Sequence, residues 1–425
     1  MRIVKYKNRE QIKAMYSPKQ EGTDKIILAV REIISRVRQY GDSAVMEYTE
    51  KFDKVKTDNL RVSQKEIDEA YQSQDKYFIE TIEIAIENIK KFHTHQLNNN
   101  FMYTGEGGTV LGQRYTPIER VGVYVPGGTA PYPSTVLMDV VPAKIAGVSK
   151  IVMVTPPMED GKINSGILTA AKLSGVDEIY KVGGAQAVAA LSYGTETIPQ
   201  VDKIVGPGNI YVATAKQLVF GQVDIDMIAG PSDILIIADH SANPRYVAAD
   251  LLSQAEHDVL ATSTLVTMDS ELAQRVSDEV EAQLKTLSRE KIARQSIDGN
   301  GYIITVDSLE QAVEVSNIIA PEHLEISTDD PFSVLDSVKN AGSIFLGHNT
   351  PEALGDYFAG PNHTLPTNGT ARFSSPLSVD DFVKKSSFIY YTKNQLAKVK
   401  DRVMDFARHE SLEAHAQAIN KRFEK

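Results

Sequence analysis

The sequence predicts an α/β protein: parallel sheets covered by helices on both faces, in two or more domains. Three observations carry this. Short apolar strands alternate with helical segments from about residue 119 to 346, and such a β-α repeat forms parallel pairs. Three of those strands run into glycine turns that open helices. The chain has 425 residues, more than one hydrophobic core serves.

Residues 1–20 are polar and are expected as an arm. Over 24–53, Ile26, Ile27, Val30, Ile33, Ile34, Val37 and Tyr40 recur at three- and four-residue spacing, which predicts an amphipathic helix. Ser63 followed by Glu66 is a capping-box pattern that opens a second helix. Phe78, Ile82, Ala85, Ile89 and Phe92 form one stripe of a third, over 75–98. The texture then changes. A strand at 121–125 ends in Pro126-Gly127-Gly128, and a helix with Pro133 near its start follows. Next come strand 151–154, helix 165–173, strand 178–182, the turn Gly183-Gly184 and helix 185–191. Strand 201–205, the turn Gly206-Pro207-Gly208-Asn209, helix 210–220 and strand 234–237 complete this half. The alternation continues with helix 244–257, strand 262–267, helix 270–287, strand 302–306, helix 308–319, and strands 324–327 and 343–346. Helices over about 393–407 and 411–423 close the chain.

Composition narrows the chemistry. With 42% hydrophobic and 24% charged residues this is a globular chain. No apolar run approaches a membrane span, and the N-terminus lacks the apolar core of a signal peptide, so a cytoplasmic protein is expected. The absence of cysteine fits that compartment and excludes disulfides, thiolate metal sites and cysteine nucleophiles. A net charge of −11 argues against nucleic acid as a partner.

The run Ala320-Pro321-Glu322-His323-Leu324-Glu325 sets a carboxylate beside an imidazole, the two groups best suited to moving protons near neutral pH. Alternation along an extended backbone turns adjacent side chains to opposite sides, which suits separate proton-transfer roles. A loop salt bridge is the plainer reading. Asn243-Pro244 opens a helix that carries Gln254 and His257 three residues apart, on one face. A pair like that can reach one metal ion or simply face solvent. Asp356 and His363 lie in LGDYFAGPNHTLPT, an irregular stretch of the kind that often carries function. Glu410 and His415 lie in ESLEAH near the end. Gln, His and Asp together form a nitrogen/oxygen ligand set that suits zinc or a similar divalent ion. The turns VPGG, VGGAQ and VGPGN lie where open parallel sheets bind ligands, and glycine admits a phosphate close to the backbone. None is a GxGxxG fingerprint, and each alone also serves as a helix-packing turn.

SQAEHD, APEHLEI, GDYFAGPNHTLPT and ESLEAH resemble the signature segments of the histidinol dehydrogenase family. VGVYVPGGTAPYPSTVLM, VGGAQAVAAL, VGPGNIYVATAK and AGPSD match it too, in the same order and over nearly the whole chain. The resemblance implies oxidation of L-histidinol to L-histidinal and then to L-histidine with two NAD⁺. It implies one Zn²⁺ per subunit on Gln254, His257, Asp356 and His415, the last supplied by the other subunit of a domain-swapped homodimer. Glu322 and His323 would be the acid/base pair. Ser232, His363 and Glu410 would contact substrate alongside His323 and the metal ligands. Tyr124, Gln186 and Asn209 would line the NAD⁺ site. Two incomplete Rossmann-like domains are implied, which accounts for the missing fingerprint. The expected organisation is an arm over 1–20, a substrate and zinc domain over 21–120 and 235–376, a cofactor domain over 121–234, and a helical dimerisation tail over 377–425. The rival reading is a zinc hydrolase of amidohydrolase type, with Glu322 as base. It leaves the glycine turns unexplained.

Overall fold

Every strand of the two larger sheets runs parallel to its neighbours. The computed structural model describes residues 1–16, 23–127 and 131–424. They form two compact units, residues 1–96 with 118–382, and residues 97–117 with 383–425.

In the first unit, a five-stranded sheet holds Glu178–Lys181, Lys150–Thr155, Arg120–Tyr124, Lys203–Val205 and Asp224–Ile225, in that spatial order. The chain thus starts in the middle, winds one way, and switches direction between Arg120–Tyr124 and Lys203–Val205. The second sheet repeats this order with Gly301–Thr305, Thr262–Thr267, Asp233–Ala238, His323–Ser327 and Ser343–Leu346, and adds Arg2–Lys5 outside Gly301–Thr305. Its switch lies between Asp233–Ala238 and His323–Ser327, where His323 pairs with Ile234 on one side and Ser343 on the other. Central strands are buried almost throughout because helices cover both faces.

The arm is an edge strand followed by the helix Arg9–Met15, with Ile12 fully buried against the second sheet. The helix Thr23–Asp53 packs in one core with the first sheet, where Val30, Ile33, Ile34 and Val37 meet Val152, Tyr180, Val188 and Leu191. Each such side chain contributes about 1.5–3 kcal/mol when fully buried, so this stripe fixes residues 23–53 on the five-stranded sheet. Gly41, at φ 53° and ψ −132°, kinks that helix. Residues 97–117 leave the first unit altogether.

The second unit is an antiparallel sheet in which Val110–Pro117 pairs with Phe101–Thr104 and with Val383–Tyr390. The helices Lys393–His409 and Glu413–Asn420 pack on one another. Its surface carries exposed apolar side chains, with Met102, Ile389 and Phe406 each about 70% exposed. No described helix is long and apolar enough to cross a membrane.

Candidate active site and metal centre

The Glu-His pair is set by how one helix stops. Leu309–Ile319 ends at Ala320, which takes a left-handed conformation (φ 56°) that only glycine adopts without strain. Pro321 disfavours a right-handed helical residue before it, so the helix cannot continue. Glu322 then lies in a bend and His323 begins the strand. That bend overturns the expected alternation: Glu322 Oε2 and His323 Nδ1 are 3.8 Å apart rather than on opposite sides. Their roles still differ, because their partners do.

Glu322 belongs to Asp233, the first residue of the neighbouring strand. The Asp233 N–H donates to Glu322 Oε2 at 3.0 Å, and the Glu322 N–H donates to Asp233 Oδ1 at 2.8 Å. Burial, and then the Asp233 charge, push the Glu322 carboxyl well above the usual carboxylate range. Burial pushes Asp233 up to about 7. Both shifts favour the protonated acid when no cation is bound.

His323 has other partners. Nδ1 lies 3.1 Å from the Asp233 carbonyl and 2.9 Å from Gln254 Nε2. If Nδ1 accepts from Gln254, Nε2 carries the hydrogen and cannot act as a base. If Nδ1–H donates to the Asp233 carbonyl, Nε2 is bare. Nε2 is buried with no hydrogen-bond partner, 3.8 Å from Asp356 Oδ1 and 3.9 Å from Glu352 Oε1. Burial lowers the His323 pKa, with the Asp356 charge opposing.

Gln254 is fully buried near the end of the helix Pro244–Ala255, which opens with Asn243 as cap and Pro244 first. Its Oε1 has no partner, an orphaned acceptor of the kind a cation satisfies. His257 lies just past the helix end, close enough for its charge to act on His323 and His363. Asp356 lies on the helix Glu352–Tyr357, and its carbonyl accepts from His363 Nδ1–H at 2.9 Å. Burial lowers His363 as well. Ser232 sits directly before Asp233, its carbonyl tied to Thr262 N–H. The first unit thus gathers Gln254, His257, Glu322, His323, Asp356 and His363, with Ser232 beside them. Crowded carboxylates and an orphaned amide oxygen suit a divalent cation. Among the described residues, His323, Glu352 and Asp356 form one group whose donor atoms lie within 4.8 Å of one another. It shares only Asp356 with the expected ligand set. Glu410 and His415 belong to the second unit, where Glu410 follows Lys393–His409 and His415 lies in Glu413–Asn420.

Sequence reasoning missed Asp233 and Glu352. Asp233 opens a strand, a position that predicts nothing without its partner's register. Glu352 had a signal: it precedes Asp356 by four residues on one helix, and both face one point.

The glycine turns border a second feature, a cavity of about 950 Å³ lined by Tyr124, Gly127, Gln186 and Asn209 among others. Gly128 lies outside the described residues. Gln186 is 1% exposed, and both its amide atoms lack partners. The Tyr124 hydroxyl accepts from the Gly184 N–H at 3.0 Å, and burial pushes its pKa up to about 12. Asn209 caps the helix Ile210–Val219 through Tyr211 and Val212 N–H. Gly206, at φ 109°, has no room for a Cβ against the Tyr124 carbonyl. The loop bearing His363 is tied back to this half: the Asn362 amide donates to the Met138 carbonyl at 2.6 Å, and the Thr364 hydroxyl to Asp139 at 2.9 Å.

A family model described as histidinol dehydrogenase matches residues 17–423. A histidinol dehydrogenase of Clostridium acetobutylicum is 57% identical over 398 residues, covering 94% of this chain and 92% of that protein. One of Geobacillus kaustophilus is 55% identical over 406 residues, 96% of each. The crystal structure of histidinol dehydrogenase from Elizabethkingia anophelis superposes with a TM-score of 0.93 at 41% identity, covering 100% of this chain and 98% of that one. With this agreement of sequence, fold and motif order, the chain belongs to the histidinol dehydrogenase family and is an oxidoreductase.

Proposed function

We propose that the protein oxidises L-histidinol through L-histidinal to L-histidine at one centre, reducing two NAD⁺ in succession. The observation that carries this is the pairing of a buried His323 imidazole, its Nε2 without a partner, with the hydrogen-bonded Glu322–Asp233 pair beside clustered ligand groups, in a fold that also has a dinucleotide-sized cavity. When bound, Zn²⁺ on Gln254, His257, Asp356 and a second copy's His415 would orient the imidazole and amino nitrogens of substrate, and NAD⁺ would accept hydride. His323 takes the hydroxyl proton as the alcohol becomes the aldehyde. Glu322, neutral in the free protein, would be ionised with a cation's charge beside it and would then remove a proton from the water that adds to the aldehyde, and the second hydride loss leaves the carboxylate. The sum consumes one water and two NAD⁺ and releases two NADH and three protons. Ser232, His363 and Glu410 hold the substrate, and Tyr124, Gln186 and Asn209 hold the dinucleotide.

Working sites in this reading need a homodimer. The exposed apolar side chains of the second unit, among them Met102, Ile389 and Phe406, supply a surface for it. A cytoplasmic setting with no membrane or nucleic-acid partner follows from the same reading. Incubation with L-histidinol, NAD⁺ and Zn²⁺ tests it: NADH formation is expected. Hydrolysis of an amide substrate without NADH would favour the hydrolase alternative.

A further inference from the structure

One wall of the dinucleotide-sized cavity comes from outside the glycine turns. Lys51, Phe52 and Asp53, the last residues of the helix Thr23–Asp53, line it. The helix stops there because Lys54 takes a left-handed φ of 62°. Asp53 is half-buried, and its Oδ2 is buried with no hydrogen-bond partner. The neighbouring cation does not answer it: Lys51 Nζ sits over the rings of Tyr48 and Phe52, at 5.8 and 5.4 Å from their centroids. Burial pushes the Asp53 carboxyl up to about 6, and its charge acts on the Tyr124 phenol on the same cavity wall. A carboxylate oxygen held out of water without a donor is costly unless a ligand brings one.

The rest of the cavity says which donor. The helices Gly184–Tyr193 and Ile210–Val219 begin at its glycine turns, and helix N-termini suit the diphosphate of a dinucleotide. A carboxylate cannot face phosphate, so Asp53 must take neutral donors. The vicinal hydroxyls of a ribose match the two oxygens of one carboxylate. Phe52 and Met158, which also line the cavity, are 50% and 43% exposed, so this part of it opens to solvent. The nicotinamide must instead reach the buried His323 centre, so the adenosine half belongs at the open end. We propose that Asp53 accepts the 2′ and 3′ hydroxyls of the adenosine ribose and is the residue that excludes a 2′-phosphorylated cofactor. This rests on the cavity being the NAD⁺ site. The competing acid is Glu159, which follows the second strand of the same sheet and also lines the cavity, but it is exposed.

The test compares Asp53→Asn and Glu159→Gln in the full-length, zinc-supplied enzyme, with L-histidinol saturating and NAD⁺ or NADP⁺ varied. Asp53→Asn keeps the shape and removes the charge. It should raise KM for NAD⁺ roughly ten- to hundredfold, the loss expected for hydrogen bonds to a charged group. It should leave kcat and KM for L-histidinol within about twofold and shrink the NAD⁺/NADP⁺ preference at least about tenfold. Asp53→Glu should recover part of the preference, and Glu159→Gln should change none of these values. Fluorescence titration with NADH gives the same comparison without turnover. Unchanged KM for NAD⁺ in folded Asp53→Asn overturns the proposal. So does a cofactor shift carried by Glu159→Gln, or a fall in kcat with no change in preference. A wild-type enzyme that reduces neither dinucleotide defeats the cofactor reading itself, and the Asp53 assignment with it.

Discussion

Glu322→Gln should separate the two oxidations. The carboxyl makes one hydrogen bond, from the Asp233 N–H to Oε2, and an amide oxygen accepts it equally well. Burial and the Asp233 charge already favour the neutral acid in the free protein, so the isosteric amide replaces a group of the same charge. Stability at neutral pH should therefore change by no more than about 1 kcal/mol, the worth of one ordinary hydrogen bond. Activity should change far more. Glutamine cannot take a proton from water, and loss of a general base costs roughly 10²- to 10⁴-fold, or about 2.7–5.5 kcal/mol in the barrier. That loss falls on the step that consumes water. Oxidation of L-histidinal should drop roughly 10²-fold or more, while L-histidinol oxidation to the aldehyde drops less than about tenfold. Single-turnover NADH absorbance with each substrate reads the two steps separately. Equal losses on both substrates would refute the division of labour. A collapse in melting temperature would refute the neutral-acid argument.

Four further outcomes are expected. His323→Gln should slow both oxidations by roughly 10²-fold or more, since it removes the base common to both; a loss confined to one substrate would contradict that role. Chelation should abolish turnover and Zn²⁺ should restore it, and full activity in metal-stripped enzyme would remove the ligand assignment. Mixing inactive His415→Ala with inactive His257→Ala under subunit exchange should return roughly a quarter of wild-type activity, because half the dimers then carry one intact site; no recovery despite exchange would mean that the tail serves its own chain. Asp139 is fully buried, and burial followed by the Asp226 charge holds its carboxyl well above the usual range. Its folded pKa exceeds the unfolded one, so stability present at low pH is lost as pH rises through the folded value. Asp139→Asn keeps an acceptor for the Thr364 hydroxyl and should flatten that fall; parallel melting-temperature curves from about pH 5 to 9 would contradict it.

The alternating half of the fold was legible because its periods are strong. The strands Thr262–Thr267 and Ser343–Leu346 have the bounds that the sequence predicts, and most other strands differ by one or two residues. What escaped depends on distant pairing. Arg2–Lys5 reads as a polar arm until it meets Gly301–Thr305, about 300 residues on. The strands Phe101–Thr104 and Val383–Tyr390 are largely exposed and Val110–Pro117 is mostly half-buried, so no buried face writes a clear alternation into them. The helix Glu290–Asn300 was also missed; its apolar face is short, with Ala293 and Ile297 as its main buried positions. In the site, Glu322, His323, Gln254 and Asp356 were visible as unusual neighbours in sequence. Asp233 was not, because its role comes from lying one strand away from Glu322. The separation of Glu322 and His323 was misread because the chain bends at Glu322 before the strand begins.

The most direct measurement of the central claim is the stoichiometry of a complete turnover. A limiting, known amount of L-histidinol is consumed with excess NAD⁺, and NADH and L-histidine are both quantified. Four-electron oxidation at one centre predicts two NADH for each L-histidine, with no accumulation of free aldehyde. One NADH per substrate with L-histidinal as the product, or L-histidine formed without NADH, would contradict the account.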